Sequence, residues 1–509
     1  MTGLLSSDPQ TLPDLLRVRS SELSGERFIR DARIEWSYGE FHHRVTQVAA
    51  GLKAAGVGRS DVVGVVLPNG PEYLEVWWAI LWLGAVFNPV NPDLTIREAT
   101  DILSDSHAAV IVCRAERVTE FEAAELPAVH TVVAVEANRP DPLEALRGAG
   151  TVYDPADVAA GDLMSLVYTS GTTGRPKGAM LSHGNFLADT RMLGELVPAV
   201  RGDVLGMVLP LFHVNAQLVT TVMPMLMGAQ VAMWERFSAS TFWETVARFE
   251  PVTFSAVPTM LAALLHAPGA DEAETNTVRY VICGAAPLSP ALFRRFEDKF
   301  GIAILEGYGL TEGSCCSTLN PFYGPRKIGS IGLPVRGQDV AILTDDGRVA
   351  ADGEPGEVCL RGPNVMSGYL NRPDATTEAL RDGWLHTGDV GYRDADGFIF
   401  LVDRKKDMII RGGENIYPRE IEDVLLEHAA VQGAAVVGRP DEHRGEEVHA
   451  FLVLEPDGEL ADIEHHCRER LAPFKVPSSW EIVETLPTTS TGKIDKKPLR
   501  DRLRASASA

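Results

Sequence analysis

The run Tyr168 to Gly178, YTSGTTGRPKG, packs hydroxyls, glycines and one cation into a single short loop. Gly171, Gly174 and Gly178 open backbone conformations closed to other residues, so that successive N–H groups can turn inward as an anion-binding nest. Ser170, Thr172 and Thr173 add short donors, and Lys177 adds a mobile point charge suited to phosphate. Taken alone, the run reads either as a polyphosphate cradle or as a plain turn before LSHGNF. It is not a P-loop, because Lys177 stands between Pro176 and Gly178 rather than in a Gly-Lys-Ser/Thr end. It also lacks the GxGxxG of a dinucleotide fingerprint.

Four further segments carry chemistry. EGYGLTEG, Glu306 to Gly313, sets a tyrosine, a threonine and two acids in a glycine-rich turn, with a GxGxxxG spacing one residue too long for the dinucleotide pattern. GWLHTGD ends in Asp389 after a glycine, an arrangement suited to a ribose diol. Arg404 stands in VDRKKDMIIRGGEN, and Lys493 stands in the glycine-flanked run STGKIDKK. Each alone has an ordinary explanation as a solvated surface group.

The elements needed to hold these loops are legible around them. LMSLVY before the first loop reads as a buried strand, which puts the loop at a strand's carboxyl end, where open α/β sheets bind ligands. Strand-like runs (DVVGVVL, AAVIVC, TVVAV) alternate with helical ones (FHHRVTQVAAGLKAAG, PEYLEVWWAILWLG), and the alternation recurs from Asp162 to about Phe300. Such patterns build parallel sheets flanked by helices, so two α/β layers are expected. From about 329 to 400 short strands and turns predict a β-barrel-like part. After Asp403, PREIEDVLLEHA, VQGAAVVG, EVHAFLVL and IEHHCRERL predict a small α+β domain. The expected division is therefore 1–402, a hinge at 403–407, and 408–509. Val76 to Phe87, VWWAILWLGAVF, reads as a buried helix too short to span a bilayer, and Val204 to Trp234, without Asp, Glu, Lys or Arg but broken by Pro210, Pro224 and Gly228, reads as core strands and a helix.

Composition limits the function classes. At 509 residues, 45% hydrophobic and 23% charged, the chain reads as a soluble multidomain protein. A formal net charge of −23 argues against non-specific binding to nucleic acid or anionic lipid, so any anionic ligand must be gathered by a local basic site. Cys113, Cys283, Cys315, Cys316, Cys359 and Cys467 show no CxxC spacing, which fits neither a zinc site nor a disulfide framework and suits a reducing compartment. MTGLLSSDPQTLPDLL lacks a basic n-region and a long apolar run. A cytoplasmic location is expected.

Together and in this order the motifs resemble the adenylate-forming superfamily of acyl-CoA synthetases, peptide-synthetase adenylation domains and luciferase, from about Asp14 to Leu499. The resemblance implies ATP, Mg2+ and CoA as cofactors and a small-molecule carboxylic acid as partner, on a large N-terminal domain with a small mobile C-terminal one. It implies that Thr169, Ser170, Gly171, Thr172, Thr173, Gly174 and Lys177 wrap the β- and γ-phosphates, with Thr169 and Glu312 near the magnesium ion. Gly284, Ala285 and Ala286 would flank the adenine and Tyr308 would stack on it, within the nucleotide-binding segment Glu306, Gly307, Gly309 and Thr311. Asp389 would accept from the ribose hydroxyls, Arg404 would reach the ribose and phosphates, and Lys493 would bridge the substrate carboxylate and the α-phosphate. Lys406 aligns with the hinge position, and Gly412, Gly413 and Glu414 would line the path for pantetheine. His213 would gate the acyl pocket, with Val214, Asn215, Ala216, Gln217, Cys315, Cys316 and Ser317 as walls. FHVNAQ with WERFSASTFW looks most like the carnitine and medium-chain or cyclic-acid CoA ligases, which leaves the acid open.

The implied activity is an acid–thiol ligase that makes acyl-AMP with release of pyrophosphate and then an acyl-CoA. The alternative within the same chemistry is loading of an acyl carrier protein's phosphopantetheine. Luciferase-like oxidation, a nucleotide hydrolase and a catalytically silent binder are weaker readings, and MLSHG lacks the first glycine of a GxSxG serine hydrolase. Paired cysteine nucleophiles are disfavoured because no partner histidine is evident beside Cys315 and Cys316. The oligomeric state is left open, a homodimer being one compatible state.

Overall fold

The computed structural model describes residues 8–137, 139–148, 150–152, 154–169, 176–404, 407–412, 414–441, 444–488 and 494–507. The strand-like runs of the first third form a six-stranded sheet in the order Thr131–Val135, Val110–Arg114, Val62–Val66, Val86–Pro89, Leu163–Thr169, Lys177–Ser182. All neighbours are parallel except the last pair, which is an antiparallel hairpin with Thr169 opposite Lys177. The polyphosphate-type run therefore connects two strands of one hairpin. Residues 170–175 of that connection lie outside the described residues.

A nine-stranded sheet holds the second layer, with a parallel centre running from Arg27–Arg30 through Gln230–Met233, Val204–Met207, Thr253–Ala256 and Tyr280–Cys283 to Ala303–Tyr308. The helix Pro71–Trp82 is buried along its whole length, with Trp77, Trp78 and Trp82 fully enclosed. The apolar run Val76 to Phe87 is thus not one helix: it turns after Trp82 and re-enters the sheet as the strand Val86–Pro89. Inside a core both halves are apolar on every side, so periodicity cannot mark the break. From Val204 to Trp234 the chain forms two strands with the helical stretch Val214–Met227 between them, and Leu218–Val222 is wound as a π-helix. Thr220 and Thr221 both donate to the carbonyl of Ala216 there (3.1 and 2.9 Å).

The third part is a five-stranded antiparallel sheet of Asp339–Leu343, Gly356–Arg361, Trp384–Arg393, Leu380–Arg381 and Ile399–Arg404. Beyond it a fourth sheet of Ile409–Arg411, Glu414–Ile416, Val431–Asp441, Gly445–Leu454 and Ser479–Ile482 is covered by the helices Pro418–Leu426, Leu460–Arg470 and Lys496–Ala507 and keeps its own hydrophobic core. Among the described residues no helix is long and apolar enough to cross a membrane.

Candidate active site

Three sheets bring the predicted residues together. Thr169 ends the strand Leu163–Thr169, and its Oγ1 donates to Oε1 of Glu312 at 3.2 Å across 143 residues of chain. Glu312 sits in the 3-10 turn Thr311–Gly313 that follows the strand Ala303–Tyr308 of the nine-stranded sheet. The same Oε1 accepts the hydroxyl of Tyr369 at 2.8 Å, and the ammonium of Lys177 lies 5.2 Å from the centre of that ring. Tyr369 is held there because the segment 367–370 is laced to the hairpin: the N–H of Met180 donates to Gly368, and that of Leu370 to Gly178, each at 2.9 Å. Burial raises the Tyr369 hydroxyl well above its ordinary range, with the Glu312 charge acting in the same sense, so it stays a donor.

A second contact joins two of the other predicted segments. The hydroxyl of Tyr308 donates to Oδ2 of Asp389 at 2.6 Å, linking the nine-stranded sheet to the antiparallel one. Asp389 is buried and lies opposite Arg404 in the strand register; the Arg404 side chain falls outside what is described.

The glycines of EGYGLTEG are required by approach rather than by flexibility. A Cβ on Gly309 would stand 1.7 Å from the carbonyl oxygen of Cys315, and one on Gly284 would stand 2.8 Å from that of Gly307. The backbones of CGAAPLS and EGYG therefore run in direct contact, with Ala285 in a left-handed conformation (φ 69°) at the tip. Glu306 lies beneath them, 3% exposed. Its Oε2 finds no hydrogen-bond partner among the described residues. Burial pushes its pKa up to about 8, against the pull of Arg419 in the C-terminal domain.

The expected acyl walls are less uniform. His213 caps the helix Val214–Gln217, its ring against Phe212 at 4.4 Å between centroids. Gln217 is fully buried, and its amide nitrogen donates to the carbonyl of Leu211 at 2.8 Å, so one of the two expected pocket amides spends its donor on the main chain. Its Oε1 and the Oδ1 of Asn215 have no partner among the described residues. Cys315 and Cys316 are buried, and burial raises both thiols well above their ordinary value, which rules against nucleophilic roles. The N–H of Cys316 donates to Oδ2 of the buried Asp189 at 2.9 Å. Ser182 of MLSHG caps the helix His183–Gly194, accepting from the N–H of Asn185 at 3.1 Å.

Gly412 has φ 60° and donates to the carbonyl of Arg444, and Glu414 opens the second strand of its hairpin with an exposed side chain. Ser170, Gly171, Thr172, Thr173, Gly174, Lys406, Gly413 and Lys493 lie outside the described residues. Tyr369 and Asp189 were not legible as site residues: a tyrosine in GYLN and an aspartate inside the largely buried helix His183–Gly194 carry no spacing signal of their own.

The AMP-binding enzyme family matches residues 18–370, and the AMP-binding enzyme C-terminal domain matches residues 420–493. The chain belongs to this family of adenylate-forming enzymes. A feruloyl-CoA synthase of Amycolatopsis sp is 38% identical over 483 residues, covering 93% of this chain and 95% of that protein. The crystal structure of ATP-bound MatB from Rhodopseudomonas palustris superposes with a TM-score of 0.92 at 30% identity, covering 96% and 98% of the two chains. An anthranilate CoA ligase, AuaEII, in complex with anthranoyl-AMP, gives 0.91 at 28% identity, covering 100% and 99%. Within the family the chain is an ATP-dependent acid–CoA ligase, an acid–thiol ligase of the AMP-forming kind.

Proposed function

We propose that the cluster of Thr169, Glu312, Tyr369 and Lys177, with Tyr308 and Asp389 beside it, is where this ligase activates a ring-bearing carboxylic acid as its acyl-adenylate. The observation that carries the reading is the convergence of Thr169 and Glu312 at 3.2 Å and of Tyr308 and Asp389 at 2.6 Å, from loops that share nothing in sequence. The run Thr169 to Lys177 holds the β- and γ-phosphates. A carboxylate and a hydroxyl are hard oxygen donors of the kind magnesium prefers, so Thr169 and Glu312 fit Mg2+ and would hold it. When bound, that ion supplies charge neutralisation for the phosphates. Tyr308 stacks on the adenine beside Gly284, Ala285 and Ala286. Glu306 Oε2, buried and without a partner among the described residues, suits a hydrogen bond with the adenine edge. Asp389 takes the ribose hydroxyls.

In the first half-reaction an oxygen of the substrate carboxylate attacks the α-phosphorus, the new O–P bond forms, and the bond to the β-phosphate oxygen breaks to release pyrophosphate. No general base is needed, since the acid is already ionised at neutral pH. The residues align two anions and offset their repulsion, a role assigned to Lys493 and Arg404. In the second half-reaction the thiol sulfur of CoA attacks the acyl carbon, the carbon–oxygen bond to AMP breaks, and the thiol proton passes to solvent. Lys406 serves as the hinge, and Gly412, Gly413 and Glu414 as the pantetheine path. The reaction belongs in a reducing cytoplasm, in keeping with six buried, unlinked thiols.

Ferulate and anthranilate, the acids named for two of the relatives, support an aromatic substrate. The acceptors Asn215 Oδ1 and Gln217 Oε1 support a ring that carries a hydrogen-bond donor such as a hydroxyl or amino group. The test is thioester yield from a panel of hydroxylated, aminated and unsubstituted aromatic, alicyclic and straight-chain acids, with CoA and with a holo-carrier protein. Preference for donor-bearing aromatic acids with CoA is expected. Best turnover of an unsubstituted alkyl acid, or of the carrier protein, would overturn the substrate or acceptor assignment respectively.

A further inference from the structure

Glu357 is half-buried close to Asp389 and takes no part in the chemistry proposed for the site. It stands in the strand Gly356–Arg361, next to the strand Trp384–Arg393 that carries His386, Thr387, Gly388 and Asp389. In the register between them Glu357 faces Val390 while Cys359 faces His386, so two steps on one strand meet four on the other. The surplus of two residues falls within Thr387 to Asp389, and Gly388 takes φ 74° at the bend. This irregularity is what displays Asp389.

Glu357 holds the bend. Its Oε1 accepts the N–H of Gly388 at 3.0 Å, and its Oε2 accepts His386 Nδ1–H at 3.1 Å and the Arg381 guanidinium at 3.3 Å. The side chain is only 11% exposed, so the Gly388 N–H has little access to water as a substitute. Thr387 completes the clasp: its hydroxyl donates to the carbonyl of Val358 at 2.7 Å and accepts the N–H of Asp389 at 3.1 Å. Glu357, Cys359 and His386 also offer donor atoms within 4.8 Å of one another, the span of a soft metal site. Both oxygens of Glu357 are already engaged by Gly388, His386 and Arg381, which favours a hydrogen-bonded clasp over a metal centre.

We infer that Glu357 is the positioning residue that sets Asp389 for the ribose, acting through the Gly388 N–H from a neighbouring strand. The inference rests on the reading of Asp389 as the ribose acceptor. Its test compares ATP with 2′-deoxy-ATP and 3′-deoxy-ATP as substrates of the wild-type chain, E357A and E357Q, by kcat/KM for acyl-adenylate formation. A hydrogen bond to a carboxylate is worth about tenfold to a hundredfold, and the wild type is expected to lose that much when the hydroxyl in question is removed. E357A with ATP should already carry most of this loss, and removing the hydroxyl should then cost less than about threefold more. E357Q, which keeps an oxygen for the Gly388 N–H, should retain most of the discrimination. Should E357A prove too unstable to assay, E357D, whose carboxylate is one methylene short of Gly388, carries the same test. Full wild-type discrimination in E357A or E357D overturns the role of Glu357 alone. A wild type indifferent to both hydroxyls overturns the ribose reading of Asp389 and the inference with it.

Discussion

Replacing Glu306 by glutamine should change the pH dependence of stability in a calculable direction. The carboxyl is almost fully enclosed, and burial lifts its pKa from 4.5 to about 8. A carboxyl raised in the folded state keeps its proton there after the unfolded chain has lost it. Its contribution is therefore fully present below about pH 4.5, declines as the pH rises, and is gone once the pH passes the folded value near 8. At about 1.36 kcal/mol per unit, the 2.5 units between pH 5.5 and pH 8 correspond to roughly 3 kcal/mol. Glutamine has the same shape and no proton to lose, so E306Q should gain on the wild type by about that amount across the interval. The assay is calorimetric melting of the ligand-free proteins at half-unit steps of pH. A Tm difference that widens in favour of E306Q towards pH 8 is expected. Parallel curves would show that Glu306 ionises freely and would refute its enclosure under CGAAPLS and EGYG. Arg419 of the C-terminal domain opposes the burial effect, so R419A should move the midpoint of the wild-type decline upward in pH.

Tyr369→Phe removes the hydroxyl on Glu312 but keeps the ring beneath Lys177, and should lower kcat/KM for ATP in adenylate formation by about tenfold, at about 1.5 kcal/mol for a hydrogen bond to a charged group; an unchanged value would detach Tyr369 from the site. Gly309→Ala must displace the carbonyl of Cys315, 1.7 Å from the new Cβ, and should cost several degrees of Tm together with nucleotide binding, as read by melting with and without ATP. A variant that melts like the wild type would deny the backbone contact. Lys493→Ala should abolish acyl-adenylate formation while largely sparing thioester formation from supplied acyl-AMP, measured as two separate half-reactions; equal loss of both would sink the division of labour between the domains.

Much of this architecture can be read from the chain because its motifs lie at the ends of elements with strong patterns. The strand Leu163–Thr169 and the alternation around Tyr38–Ala54 and Val62–Val66 follow from runs of apolar residues broken by glycine and charge. The glycines of EGYGLTEG were legible as a tight turn, although the reason for them is tertiary: the carbonyl of Cys315 is pressed against Gly309. What could not be read is which distant residues meet. Nothing in the local sequence places Tyr369 on Glu312 or Glu357 under Gly388, because each sits in an ordinary strand or turn whose partner is chosen by tertiary pairing. Gln217 shows the converse: nothing in an apolar helix tells that its amide nitrogen goes to the carbonyl of Leu211 while its Oε1 finds no partner among the described residues. The division of Val76 to Phe87 into helix and strand was hidden for a related reason, since burial on all sides erases both the 3.6-residue and the two-residue periods.

We propose that the loops carrying Thr169, Glu312, Tyr308 and Asp389 together activate a carboxylate at the α-phosphate. Exchange of labelled pyrophosphate into ATP, with and without a donor-bearing aromatic acid and in the wild type against Asp389→Ala, tests it most directly. Exchange that requires the acid and falls by at least about tenfold in the variant is the predicted result. Phosphate release that needs no acid, or acid-dependent exchange untouched by the loss of Asp389, would contradict it.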